Sequence, residues 1–181
     1  MHCWKTINMK KKYGRERIFL LSALAGLGVF VTFYIPMAAL YSAPLSDQHF
    51  LYFLIALAAL YPLHKLLHFL PLMGCRNCVQ IRIRKHFGIL PEVEFRVQDP
   101  VNKVRFLITL LTPFVVLNTV LLVASFIYPA FSHYWALLLG FHCGLCMIDL
   151  MYFRYALRSP KHALIEETDT GYEILVPSVT L

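Results

Sequence analysis

The stretch Ile18–Ala43, IFLLSALAGLGVFVTFYIPMAALYSA, contains no charged side chain. A helix needs about 20 apolar residues to cross the hydrocarbon core of a bilayer, and this stretch is longer than that. Basic residues precede it, as they precede a secretory signal, but the apolar part of such a signal is only about 7–15 residues long. We therefore predict an uncleaved transmembrane helix here.

Three further stretches have the same character, and they are Phe50–Gly74, Phe106–Ser132 and Tyr134–Phe153. Their only charged residues are Lys65 and Asp149. In the whole chain 59% of the residues are apolar and 15% are charged, whereas a soluble domain is about 25% charged. The sequence predicts an all-α membrane protein, a four-transmembrane-helix bundle with spans at about 18–43, 50–72, 106–128 and 134–155.

Lysine and arginine cluster before the first span, between the second and third spans, and after the fourth. The two short connections at 44–49 and 129–133 contain neither residue. This distribution follows the positive-inside rule, so we predict an N-in/C-in membrane protein with both termini and the middle loop cytoplasmic. The net charge of +7 is then a topology signal, and we expect the lipid bilayer rather than nucleic acid as a partner.

The segments outside the spans carry the remaining local patterns. Apolar and polar residues alternate at 79–84 and 93–98, and again at 163–167 and 172–176, so each pair predicts a small cytoplasmic β-hairpin. The predicted organisation is a basic, short and mobile cytoplasmic N-terminus at 1–17, a transmembrane hairpin at 18–74, a β-rich cytoplasmic loop at 75–103, a second transmembrane hairpin at 104–157, and a cytoplasmic C-terminal segment at 158–181.

The five cysteines predict no disulfide framework. Cys75 and Cys78 form a lone CxxC on the reducing side, and one such pair supplies only two of four zinc ligands. Structural zinc, a redox role and ordinary reduced thiols therefore all stay open for this pair.

The segment His64-Lys65-Leu66-Leu67-His68 places two imidazoles one helical turn apart. This is the spacing of the zincin motif H-E-x-x-H, in which the histidines bind zinc and the glutamate is the general base. Lys65 occupies the glutamate position. The metal-binding spacing is therefore present and the catalytic carboxylate is absent.

Helix geometry predicts a third ligand on the fourth span. At 1.5 Å per residue, His64 and His68 lie roughly 21–27 Å along the second span, and Asp149 lies roughly 22 Å along the fourth. The three residues thus share one level, and Asp149 would complete a His₂-carboxylate set with one open position, as in catalytic zinc sites. The secondary ligand candidates are Cys146, His142 and Asn118.

Two metal-free interpretations stay open beside this one. The histidines lie near a helix end, where imidazoles can reach the interface or bond a backbone carbonyl. A Lys65–Asp149 ion pair could instead hold the second and fourth spans together.

The order of these features resembles the putative zincin peptidase family of bacterial membrane proteins. The resemblance rests on His64 and His68, on Thr112-Pro113-Phe114, and on the stretch Gly144–Asp149. It implies a four-helix membrane protein with zinc on the two histidines and on Asp149. The chain is also loosely similar to intramembrane site-2-type metalloproteases, which combine a zinc-binding helix with a distal aspartate.

Lys65 decides the functional prediction, because a protonated amine cannot take a proton from zinc-bound water. Loss of a general base costs about 10²–10⁴-fold in rate. We therefore predict no catalytic residue, and a degenerate zincin-like site that binds another membrane protein or a peptide. The alternatives are an active membrane zinc metallopeptidase with Glu92 or Glu94 as the base, and a metal-free interaction protein. The sequence predicts no oligomeric state.

Overall fold

The computed structural model describes residues 1–41, 44–73, 100–168 and 171–176, together with the backbone of 79–86 and 90–97. Within these ranges, four helices are long and apolar enough to cross a membrane. The helices are α1 (Met9–Tyr13), α2 (Arg15–Leu40), α3 (Phe50–Leu67), α4 (Lys103–Ile127) and α5 (Ser132–Leu157). Helices α2 to α5 are the long ones. A turn of 3-10 helix at Leu70–Leu72 follows α3, and another at Pro129–Phe131 precedes α5.

Helices α2 and α5 cross at Gly26 and Gly140, neither of which has a side chain. A Cβ atom added to Gly140 of α5 would lie 2.7 Å from the carbonyl oxygen of Gly26 of α2, and one added to Gly144 would lie 3.0 Å from that of Ser22. Small residues spaced four apart allow apolar helices to approach at backbone distance. The sequence Gly140-x-x-x-Gly144 therefore fixes where α2 packs on α5.

A four-stranded antiparallel sheet in the order β1-β6-β5-β4 joins the two ends of the chain. Its strands are β1 (His2–Ile7), β4 (Val101–Asn102), β5 (Leu164–Thr168) and β6 (Gly171–Val176). The predicted C-terminal hairpin is present as β5 and β6. The prediction that residues 1–17 form a mobile lead is wrong, because β1 pairs with β6 and Asn8 caps α1 by accepting from the backbone N–H of Lys11.

Strands β2 (Val79–His86) and β3 (Leu90–Val97) form a separate antiparallel pair. The alternation at 79–84 and 93–98 predicted this hairpin, and both strands are longer than predicted. The segment predicted as one loop at 75–103 nevertheless contributes to two sheets, because Val101 and Asn102 pair with β5.

Aromatic packing connects the four-stranded sheet to the bundle. The ring of Tyr172 on β6 lies between Phe106 of α4 and Tyr152 of α5, with centroid distances of 4.8 Å to each. Buried residues from the 3-10 turn, both helices and the sheet surround these rings: Leu72, Val101, Leu110, Ala156 and Ile165. The sheet therefore packs against the bundle end where α3 ends and α4 begins.

Candidate metal centre

Three polar side chains meet between helices α3 and α5. Nε2 of His64 lies 3.0 Å from Oδ2 of Asp149, and Nε2 of His68 lies 3.5 Å from the same oxygen. The two Nε2 atoms are 3.3 Å apart. The structure thus brings together the three residues that the sequence predicted as ligands, and together they could hold a metal ion.

The dimensions of this triangle fit a tetrahedral zinc site. Zinc binds histidine nitrogen and carboxylate oxygen at about 2.0–2.1 Å, so neighbouring ligand atoms are about 3.3 Å apart. The observed sides of 3.0, 3.3 and 3.5 Å are close to that edge. Oδ2 of Asp149 is also buried without a hydrogen-bond partner among the described residues. A buried carboxylate oxygen needs a positive charge beside it, and a metal ion bound by the two histidines and Asp149 would supply one.

A proline in α4 orients His68. Pro113 has no N–H, so the carbonyl of Thr109, four residues earlier, has no helical hydrogen-bond partner. Nδ1 of His68 lies 2.8 Å from that carbonyl oxygen and donates to it. Because a carbonyl only accepts, Nδ1 carries a proton, and in the neutral imidazole the Nε2 lone pair then faces Asp149. Sequence analysis missed Thr109, although Pro113 four residues later was a usable signal.

A chain of buried groups orients His64 in the same way. Nδ1 of His142 lies 2.7 Å from Oδ1 of Asn118 and donates to it. The other nitrogen of His142 then accepts from Nδ1 of His64 at 3.2 Å. We infer that Nε2 of His64 carries a lone pair toward Asp149. Hydrogen bonds of this kind from the non-ligating nitrogen are typical of metal-binding histidines.

A comparison with protein families identifies one that matches this chain. The family described as putative zincin peptidase matches residues 57–164, which is more than half of the chain. The chain belongs to the putative zincin peptidase family. The matched range includes all three candidate ligands and the groups that orient them. Comparisons with curated proteins and with solved structures gave no match.

Lys65 stands where the motif H-E-x-x-H has glutamate. Its side chain is exposed, and Nζ lies 6.0 Å from the ring centroid of Tyr61, one turn earlier on the outer face of α3. Within the described part of the chain, Lys65 forms no ion pair with Asp149, whose Oδ2 faces the two histidines. The predicted Lys65–Asp149 ion pair is therefore wrong. The two histidines lie on the inner face of α3, whereas Lys65 lies on its outer face.

The secondary candidates lie beside the triangle on the far side of His64. His142 and Cys146 are fully buried, and with His64 they form another group that could hold a metal ion. Asn118 contacts His142 and also Sγ of Cys143, from which its Nδ2 is 3.5 Å away. The cysteines at 75 and 78, like the side chains of Glu92 and Glu94, lie outside what the structure describes.

Tyr172, half-buried between Phe106 and Tyr152, lies close enough to Asp149 for that charge to act on its phenol. Burial, together with the negative charges of Glu167 and Asp149, raises the pKa of Tyr172 well above its ordinary value. This phenol is thus neutral at physiological pH. The triangle itself is partly open, because the side chains of His68 and Asp149 are 17% and 13% exposed. A small molecule or a chain segment could approach that edge.

Proposed function

We propose that this chain is a multi-pass membrane protein that holds one Zn²⁺ ion at His64, His68 and Asp149. The observation that supports this most strongly is that the three donor atoms form a triangle of tetrahedral-zinc dimensions. Two neutral imidazoles whose Nε2 lone pairs face a carboxylate at 3.0–3.5 Å repel it and each other, and a zinc ion between the three donors removes that repulsion. A zinc ion held by three protein groups supplies a Lewis acid with an open position.

The same site lacks the group that a zincin needs for peptide hydrolysis. In the motif H-E-x-x-H the glutamate accepts the proton of the attacking water. Lys65 is cationic and lies on the outer face of α3, so it cannot perform that step. We therefore propose a degenerate site that binds a ligand carbonyl or carboxylate and does not cleave it. The partner would be a peptide or another membrane protein that approaches the exposed edge of His68 and Asp149.

Membrane insertion is supported by the outer faces of the long helices. Large apolar side chains are exposed on all four of them, for example Phe19, Leu51, Val120 and Phe141. Apolar surfaces of this extent require a lipid or protein environment. The pairing of β1 with β6 supports an arrangement with both termini on one side. The basic segments support placing that side in the cytoplasm, and we propose that the membrane is a bacterial plasma membrane.

The proposed lack of cleavage can be tested with defined peptides. Wild type, His68→Ala and Lys65→Glu would be purified in detergent, loaded with zinc, and reconstituted with a panel of synthetic single-span peptides. We expect wild type to bind some of these peptides more tightly than His68→Ala and to release no fragments. Zinc-dependent cleavage by wild type that His68→Ala abolishes would refute the degenerate-site proposal. Lys65→Glu should also release no fragments, because position 65 lies on the outer face of α3.

Terminal fusions test the proposed orientation. A green fluorescent reporter at either end of the chain should fluoresce, and a periplasmic phosphatase reporter at either end should be inactive. An active phosphatase at one end would contradict the N-in/C-in arrangement.

A further inference from the structure

A second group of three donor atoms lies on the opposite edge of the His64 ring. Nδ1 of His64 lies 3.2 Å from Nε2 of His142, and Sγ of Cys146 lies 3.8 Å from the first atom and 3.5 Å from the second. In a tetrahedral zinc site with Zn–N of about 2.0–2.1 Å and Zn–S of about 2.3 Å, nitrogen atoms are about 3.3 Å apart and nitrogen and sulfur about 3.5 Å apart. The observed distances are close to these values.

We propose that His64, His142 and Cys146 form a second Zn²⁺ site, with the His64 ring bridging it to the site at His68 and Asp149. The second site goes beyond the proposed function, and it depends on the first only in sharing His64.

The orientation of His142 suits a metal in the second group. His142 uses its Nδ1 proton on Asn118, so its Nε2 lone pair faces the group. Each contact that the structure gives Sγ of Cys146 is with a ring nitrogen of His64 or His142. Because Sγ is almost as close to Nδ1 of His142 (3.9 Å) as to Nε2 (3.5 Å), it lies beside the ring, and the Cys146 side chain must rotate toward the Nε2 lone pair for the three atoms to surround an ion.

Charge balance permits the second ion in an apolar environment. Its binding displaces one proton from the Cys146 thiol and one from Nδ1 of His64. A Zn²⁺ ion thus replaces two protons, and the net charge of the buried cluster does not change. The thiol proton is released because thiolate is the binding form of cysteine. The Nδ1 proton of His64 is released because a bridging ring uses both nitrogens as ligands.

Burial separates the roles of the two sites. His142 and Cys146 are fully buried and His64 is 4% exposed, whereas His68 and Asp149 are partly exposed. Structural zinc sites are closed, and sites that bind substrate keep an open position. The second ion would therefore be structural, clamping α3, which carries His64, to α5, which carries His142 and Cys146.

Cobalt substitution tests this proposal. The protein would be prepared with Cys75 and Cys78 changed to serine, so that their thiols cannot contribute, and titrated with Co²⁺ as the probe. We expect two ions per chain and a near-ultraviolet thiolate-to-Co²⁺ charge-transfer band. Cys146→Ser should lose the band and one ion. Cys143→Ser is the matched control and should keep both, because its thiol contacts Asn118 and lies outside the group.

The His68→Ala variant separates this proposal from the proposed function. It should lose the ion of the first site and keep the charge-transfer band. A band that is absent from the parent protein, or that survives Cys146→Ser, overturns the second site. If Cys146→Ser does not fold, zinc X-ray absorption of the parent protein decides, since a sulfur neighbour at about 2.3 Å supports the second site and purely nitrogen and oxygen neighbours refute it.

Discussion

Nε2 of His64 on α3 lies 3.0 Å from Oδ2 of Asp149 on α5. These residues are far apart in the chain, and each lies within about two turns of the helix end that faces the sheet. Because they lie this close, Asp149 adds a third donor to His64 and His68, which are one helical turn apart. The groups that orient the donors come largely from α4, so the site depends on the packing of three helices.

The first prediction concerns the proline that frees the Thr109 carbonyl. Pro113→Ala gives residue 113 an N–H that can bond this carbonyl and compete with Nδ1 of His68. We expect zinc affinity to fall about 10–100-fold, the range for losing a group that orients a ligand. Competition with a zinc chelator measures it. Pro36→Ala in α2 is the control and should bind zinc like wild type; an equal loss in both variants would argue for a general helix effect.

The second prediction concerns Asn118. Asn118→Leu removes the acceptor for Nδ1 of His142, so His142 can place its proton on the nitrogen that faces His64. The orientation of His64 is then lost, and we expect zinc affinity at the first site to fall about 10–100-fold. Ser125→Ala, two turns further along α4, is the control, because the Ser125 hydroxyl bonds only the carbonyl of Leu122 among the contacts described. Equal zinc affinities for the two variants would show that the hydrogen bonds from His64 through His142 to Asn118 do not orient His64 for zinc.

The third prediction concerns Lys65. Its exposed position means that Lys65→Met should change neither the zinc content nor the free energy of unfolding by more than about 0.5 kcal/mol, as for most surface changes. Asp149→Asn should lose the zinc ion of the first site. Thermal unfolding and metal analysis of both variants and of the double variant measure this. A strong, non-additive coupling between positions 65 and 149 would contradict this prediction, because it would indicate an ion pair that the structure does not show.

The fourth prediction concerns the contact between α2 and α5. A valine at Gly140 must displace the backbone of α2 or the side chain of Phe30, so Gly140→Val should lower the free energy of unfolding by about 1–3 kcal/mol. Gly28→Val is the matched control, because a Cβ atom there meets nothing within 4 Å. Unfolding in mixed micelles compares the two. Equal effects would mean that the close approach does not stabilise the bundle.

Sequence reasoning predicted the features that depend on composition and spacing. Uncharged stretches indicated the long helices, and the level of Asp149 along its span placed it beside His64 and His68. These predictions work because helix rise and bilayer thickness are nearly constant. Alternation likewise indicated β2, β3, β5 and β6.

Features that depend on distant partners were not predictable in this way. The sequence predicts a mobile N-terminal segment where the structure has strand β1. The partner of β1 is β6, at the other end of the chain, so the local sequence carries no signal of the pairing. The outward direction of Lys65 depends on how α3 is rotated against α5, which spacing alone does not determine. The link from Asn118 to His142 crosses two helices for the same reason.

Zinc analysis of purified protein tests the central claim most directly. Wild type and His68→Ala would be expressed with added zinc, purified without chelators, and analysed by mass spectrometry for metal per chain. We predict that wild type contains one more zinc ion per chain than His68→Ala, with both proteins folded. Equal zinc contents in the two proteins, or no zinc in either, would contradict the claim that His64, His68 and Asp149 hold a metal.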